Sequence, residues 1–387
     1  MRRQFLLLLA AGLALFFTQT PNAQERARQP DTIRIAYYNT ALSRRGAGVM
    51  WRDLVRAKDR QIDGVLAVIA ATDPDILVLG EVDFDPEGHG LEALRTRLRT
   101  VGQDFAYGWA GPVNTGEPSG LDLNGDGKRE GPADAYGFGF FPGQFGMAVL
   151  SRYPIDLSAL RSFRLLRWAD LPDAALPLRA DGTSFPSAQA QAAMRLSSKS
   201  HWDLPVETPF GALHLMVSHP TPPVFDDAHD LNGRRNADEI RFWSLYLSGI
   251  AFADDQGRNA PRRTAPFVLA GDLNSDPLDG DSRHAAIRSL LAHPALQDPA
   301  PRSPGAVAAA GDGINRDHLG DPALDTADFR DDIVGNLRVD YLLPDARLTV
   351  IASGVFWPAP GEAGHALVAD PKASSDHRLV WVDIRMP

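Results

Sequence analysis

No cysteine occurs in the 387 residues of this chain. Disulfides, thiolate metal sites and lipid attachment through cysteine are thereby excluded, and any metal must be held by oxygen and imidazole groups. Long apolar runs are scarce as well: beyond Phe17 no stretch reaches the roughly 20 residues that a membrane-spanning helix requires. No transmembrane segment is expected in the mature chain. Positive charge is in deficit, with 39 Lys and Arg against 49 Asp and Glu, for a formal net charge of −10. No global positive field draws in a polyanion, so an anionic substrate must be held by a local site or by a bound cation. Nucleic acid is therefore less favoured as a partner.

What is present begins with an export layout. Arg2 and Arg3 precede an apolar run from Phe5 to Phe17, and Thr18 to Gln24 is polar, with Ala23 near its end. These are the three parts of a secretory signal, with cleavage expected close to Ala23. Residues 1–23 are read as the signal, 24–30 as a polar linker and 31–387 as a single domain, because no repeat and no composition break follows residue 30. The mature chain is expected in the periplasm or medium, as a monomer.

Within 31–387 the apolar spacing changes repeatedly between two and three-to-four residues. Thr32–Tyr38 alternates as a strand and ends at Asn39. Gln61–Ala71 has helical spacing, Asp73-Pro74-Asp75 breaks it, and Ile76–Leu79 reads as a strand with Glu81 just past its end. Leu91–Leu98 reads as a helix and Met147–Ser151 as a strand; 152–200 is ambiguous. Leu204–Glu207 and Leu213–Ser218 form a strand pair around Thr208-Pro209-Phe210-Gly211, with His219 beyond it. A long helix over Asn232–Leu247 and strands at Phe267–Ala270, Arg338–Leu343, Leu348–Phe356 and Arg378–Ile384 complete the pattern. The expectation is an α/β fold of layered sheets with helices outside and polar loops gathered at strand ends.

Five polar motifs fall at those ends: Tyr38-Asn39, Leu79-Gly80-Glu81, Ser218-His219-Pro220, Gly271-Asp272-Leu273-Asn274-Ser275-Asp276-Pro277 and Ser374-Ser375-Asp376-His377. Phosphoester hydrolysis needs a divalent cation, a group that aligns water and a donor to phosphoryl oxygens. Carboxylates, Asn and His supply all three. Singly each motif is an ordinary turn; the information is in their joint order.

That order, with Gly-Asp-Leu-Asn-Ser at 271–275, Arg-Val-Asp-Tyr at 338–341, Ser-Asp-His at 375–377 and Gly-Met-Ala-Val-Leu-Ser-Arg at 146–152, resembles the endonuclease/exonuclease/phosphatase superfamily over about residues 31–385. The superfamily includes pancreatic-type deoxyribonucleases, abasic-site endonucleases, inositol-polyphosphate 5-phosphatases and neutral sphingomyelinases. The resemblance implies a four-layered sandwich of two packed mixed β-sheets flanked by helices. It implies Glu81 as main metal ligand with Asn39 beside it and Asp376 facing the cation from the other side. Asp272 then orients or deprotonates water, Asn274 and His219 address phosphate oxygens, and Asp340 holds His377. The cation so implied is Mg²⁺ or Mn²⁺, with Ca²⁺ as the alternative. One departure separates the chain from the abasic-site branch, which carries an Asp two residues after the first-strand Asn; here the run is Asn39-Thr40-Ala41.

Lys199, His201, Arg234 and Arg235 are candidate substrate contacts near the rim, with a solvated helix face as the plainer reading of the two arginines. Gly108–Gly146 is too long for an ordinary loop. Within it Asp122, Asn124, Asp126 and Lys128 match the opening of a calcium loop, an insertion spanning about 110–146. Its twelfth position is Ala133, so Glu130 or Asp134 would have to close it. The leading functional expectation is a small-molecule phosphodiesterase or phosphatase. A secreted nuclease and a phospholipase-like esterase rank behind it, and a non-catalytic calcium-dependent binding protein is the rival from another class.

Overall fold

A computed structural model describes residues 31–387 apart from 227 and 263. The signal and linker read in residues 1–30 lie outside the described residues. The chain runs through β1 (Ile33–Asn39), α1 (Val49–Arg56), α2 (Arg60–Thr72), β2 (Ile76–Val82), α3 (His89–Arg99), β3 (Tyr107–Ala110), β4 (Gly146–Ser151), β5 (Arg161–Ser162) and α4 (Ala188–Ala193). It continues through β6 (His201–Thr208), β7 (Gly211–Ser218), α5 (Leu231–Leu247), β8 (Phe252–Ala253), β9 (Asn259–Ala260), β10 (Phe267–Asp272), α6 (Ala285–Leu291) and α7 (Pro304–Ala309). The last strands are β11 (Ala327–Asp328), β12 (Asn336–Leu337), β13 (Asp340–Pro344), β14 (Thr349–Val355) and β15 (Val380–Arg385).

Two sheets dominate. One has strand order β14-β15-β1-β2-β4-β3 and the other β13-β10-β7-β6-β5, while β11-β12 and β8-β9 are small ribbons. Both large sheets are mixed: β1 runs parallel to β2 but antiparallel to β15, and β10 runs parallel to β7 but antiparallel to β13.

The layers follow from strand parity, since successive side chains point to opposite faces. On β10, Val268 and Ala270 enter the core shared with the first sheet, whereas Phe267 and Leu269 enter a second core with Ile240, Phe242 and Trp243 of α5 and Ile287 and Leu290 of α6. On β7, Leu213, Leu215 and Val217 join the shared core and Met216 the outer one. Beyond the first sheet, Ile62, Val65, Leu66 and Ile69 of α2 and Leu94 and Leu98 of α3 join the shared core. The result is helix, sheet, sheet, helix. Burial of each such aliphatic side chain contributes roughly 1.5–3 kcal/mol.

Local chemistry sets the boundaries. Asp59 caps α2 by accepting from the amides of Gln61 and Ile62, and Asp73, with φ of 51°, ends it before Pro74. Several boundaries differ from the sequence reading. Glu81 belongs to β2 rather than to the loop after it. Strand β6 starts at His201, not Leu204, because His201 and Asp203 are buried polar residues whose hydrogen bonds replace the expected apolar signal. The stretch 152–200 is mostly irregular and holds β5 and α4, and the short helices α1, α6 and α7 had too few turns to stand out as periodic patterns.

Candidate active site

The same parity that fills the core carries polar side chains into the inter-sheet space where the strands end. Asp272 continues the inward series Val268, Ala270; Asp340 shares parity with Leu342; His219 continues Leu213, Leu215, Val217. The β10–β13 register sets Asp272 directly opposite Asp340. From the other sheet, Asn39 ends β1 and Glu81 lies next to the end of β2.

Two glycines allow this convergence. A Cβ on Gly271 would lie 2.0 Å from the carbonyl oxygen of Ser218, and one on Gly80 would lie 2.4 Å from the hydroxyl of Tyr37. Glu81 itself has φ of 53° in a bulge of the β2–β4 ladder between Gly80 and Val82. A left-handed conformation in a glutamate costs about 1–3 kcal/mol and is retained where it re-aims a functional side chain.

Asp272 is the centre. Its carboxylate accepts from Asn39 Nδ2 at 3.0 Å and from the Asn274 amide at 2.9 Å, and lies 3.3 Å from His219 Nε2 and 3.7 Å from His377 Nε2. Asn39 also donates to Glu81 Oε1 at 3.3 Å, so one amide ties the two sheets together. Asn274, at φ 50°, donates its side-chain amide to the carbonyl of Pro220 at 3.1 Å. His377 Nδ1 lies 2.9 Å from Asp340 Oδ2, and Asp340 is fixed by its own amide donating to Thr326 Oγ1 at 2.9 Å. Ser375 donates to the carbonyl of Asn39 and accepts from the His377 amide.

The two imidazoles are in opposite charge states. Burial alone would lower the pKa of His377, but Asp340 and Asp272 outweigh it and hold the ring well above the usual range, as a cation. Burial, together with the charges of Lys199 and His377, pushes His219 well below its usual value, so it is neutral. Burial also raises Asp272, Asp340 and Glu81, with the charge of His377 opposing the rise in each. Asp272, Asp340 and His377 have ligand atoms within 4.8 Å of one another, one of two such groups among the described residues; the other is Asp85, Glu87 and His89.

All eight residues read as catalytic or metal-binding therefore meet at one end of the sandwich, with Asp376 acting electrostatically on Glu81 and His377. The four substrate candidates divide. Lys199 is not on the rim but buried among Glu239, Glu81 and Asp272. His201 is turned inward, its ring bonded to Ser197 Oγ at 2.5 Å and to the Glu239 carbonyl at 2.9 Å, which leaves no nitrogen for substrate. Arg235 spends its guanidinium on the carbonyls of Leu196, Tyr136, Arg195 and Ser197. Arg234 donates to the carbonyl of His229.

In the 122–134 loop, Asp122 accepts from the amides of Gly125 and Gly127, Asn124 from that of Asp126, Asp126 from that of Lys128, and Asp134 from that of Leu123. Their carboxylates do not form one of the close acidic groups. Sequence reasoning missed Glu239, which accepts from the Ser198 amide at 2.6 Å and the Thr221 amide at 2.7 Å and so clamps the segments before β6 and after β7. Its signal was present only as an acidic residue on the inner face of α5. Thr326 and Tyr37, beneath the carboxylates, carried no signal at all.

A two-sheet sandwich with carboxylates, an amide and two imidazoles at one end defines a hydrolase scaffold. The chain belongs to the endonuclease/exonuclease/phosphatase family, whose profile matches residues 36–377. Members of this family are generally hydrolases acting on phosphoester bonds. Among solved structures, an endonuclease/exonuclease/phosphatase from Beutenbergia cavernae is similar at 22% identity and TM-score 0.51, over 92% of this chain and 72% of that one. The human Nocturnin catalytic domain with bound sulfate (16% identity, TM-score 0.48, 92% and 95% coverage) and sphingomyelinase C from Streptomyces griseocarneus (15%, 0.46, 91% and 99%) are also similar to the chain. No curated protein matches the sequence. Among the described residues no helix is long and apolar enough to cross a membrane.

Proposed function

We propose that this chain hydrolyses a small phosphodiester or phosphomonoester outside the cytoplasm, with a divalent cation held by Glu81, Asn39 and Asp376. The observation that carries this reading is the position of Asp272, a buried carboxylate within reach of both imidazoles and of the amide that links the sheets.

The residues fit a hard cation. Beyond the single contact from Asn39 Nδ2 at 3.3 Å, no hydrogen bond among the described residues engages the Glu81 carboxylate, and burial with neighbouring acids disfavours its bare charge. Oxygen donors of this kind suit Mg²⁺ or Mn²⁺. When bound, such a cation neutralises phosphate charge and polarises the phosphorus centre. His377, protonated against Asp340, offers Nε2–H to a phosphoryl oxygen. His219 Nε2 adjoins the Asp272 carboxylate, while the Asn274 side-chain amide donates to the Pro220 carbonyl and its backbone amide to that same carboxylate. Asp272, raised by burial, takes a proton from the attacking water as the water oxygen bonds to phosphorus and the ester P–O bond breaks, and the leaving oxygen keeps the bonding pair and departs as an alkoxide or phenolate that solvent protonates. The net charge of −10 favours small substrates over polyanions, and the signal layout of residues 1–23 supports export.

The test is turnover of bis- and mono-p-nitrophenyl phosphate with Mg²⁺ or Mn²⁺. Activity is expected to vanish with EDTA and in His377→Ala; robust turnover in either case refutes the reading.

A further inference from the structure

Lys199 lies in the segment that Glu239 clamps, between Ser198 and the start of β6. The β6–β7 register pairs His201 with Ser218, so Lys199 stands just beyond the ladder, across from the segment of His219 and Pro220. Its side chain is 5% exposed, and among the described residues no hydrogen bond or ion pair engages its Nζ. The charges acting on it are those of Glu239, Glu81 and Asp272, opposed by that of Arg235, and it acts in turn on Glu81 and His219. Glu239 does not require it, since Ser198 and Thr221 already donate to that carboxylate through Ser198 N, Ser198 Oγ and Thr221 N. An ammonium has three donors and no acceptor capacity, and burying it without an acceptor opposes folding. A structural lysine would be placed otherwise.

We propose that Lys199 binds a terminal phosphoryl oxygen and selects the dianion of a phosphomonoester over the monoanion of a diester. The inference rests on the phosphoester reading above and narrows its substrate. A monoester presents three terminal oxygens and two charges, a diester two oxygens and one charge. A buried ammonium with no partner of its own among the described residues, beside Glu81 and Asp272, adds attraction that the second charge of a monoester gains and the single charge of a diester gains less.

Lys199→Met keeps an unbranched stem of similar length and removes the charge. p-Nitrophenyl phosphate and methyl p-nitrophenyl phosphate share a leaving group, so their ratio isolates the extra charge. In the variant, kcat/KM for the monoester is expected to fall about 100-fold and for the diester less than about tenfold. Affinity for inorganic phosphate, measured by calorimetry with Mn²⁺ present, is expected to fall about tenfold or more. Tm is expected to be unchanged or raised, since a desolvated charge is lost, and Lys199→Arg should recover part of the phosphate affinity. Equal losses on the two esters, unchanged phosphate affinity or a lowered Tm with uniform loss would overturn the proposal. A wild type that turns over both esters with Lys199→Met unaffected refutes this inference alone. A wild type that turns over neither, yet binds phosphate through Lys199, refutes the phosphoester reading and leaves the anion site standing.

Discussion

Two regions of this molecule are rich in acidic side chains, and they are built on opposite plans. In the 122–134 loop the carboxylates and amides bond to backbone two to five residues away, apart from the Asp134 contact to Leu123. At the sheet ends the bonds join residues far apart in the chain: Asn39 to Asp272 across 233 positions, Asp340 to His377 across 37. The loop's Asp122 and Asp126 contacts are exposed, whereas Asp272 and Asp340 are fully buried. Local turns satisfy acids cheaply in water. Only a folded core can gather several of them at one buried point, where desolvation and mutual repulsion make a carboxylate ready to take a proton or a cation.

The contrast is tested most severely at its centre. Asp272→Asn keeps the side chain's shape and removes its capacity to take a proton, so kcat is expected to fall by roughly 10²–10⁴-fold. Far-UV circular dichroism should be unchanged. Retention of a tenth of the wild-type rate would mean that Asp272 is a structural acid and that the two regions differ only in depth.

The second test compares buried histidines. Burial lowers His201 from 6.5 to about 4 while its neighbours keep it bonded in the neutral form. A depressed histidine stabilises the fold fully above its unfolded pKa, and the stability is lost as pH falls toward the folded value, because the unfolded chain binds the proton first. Between pH 6.5 and about 4 this amounts to about 3 kcal/mol at 1.36 kcal/mol per unit. Urea unfolding of wild type and His201→Asn at pH 7 and 4.5 isolates it. An equal acid sensitivity in both proteins would assign the loss to the carboxylates of the site instead.

A smaller effect is expected at Asp340, which acts through His377 rather than on substrate. Asp340→Asn should lower kcat by roughly 10–100-fold with KM little changed, the usual scale for a group that orients another. A loss as large as that of Asp272→Asn would make the pair a single unit.

How much of this was legible in sequence follows from the same contrast. Strand β1 announced itself by alternation and β2 and β10 by short apolar runs, and side-chain parity explains why Asp272, Asp340 and His219 converge. Lys199, His201 and Arg235 sit close together in the fold and are chemically alike on paper. Their neighbours separate them: Arg235 is saturated by carbonyls, His201 by Ser197 and Glu239, and Lys199 by nothing. Glu239, Thr326 and Tyr37 were silent because their work depends on contacts between elements, which no local pattern encodes. The Asp122 loop was the reverse case, a strong local pattern whose bonds stay local.

The smallest effect is therefore expected there. Asp122→Ala with Asp126→Ala removes bonds at the protein surface, where water replaces them at little cost. Tm should fall by about 2 °C, and kcat on either ester should not change. Calorimetry with and without millimolar calcium supplies the decisive comparison. If calcium raises the melting temperature of the wild type but not of the double variant, the loop closes around the ion, and its acids, like those of the site, are held apart until a cation joins them. If calcium raises both equally or neither, the loop's carboxylates are fully occupied by its own amides, and the two plans remain distinct.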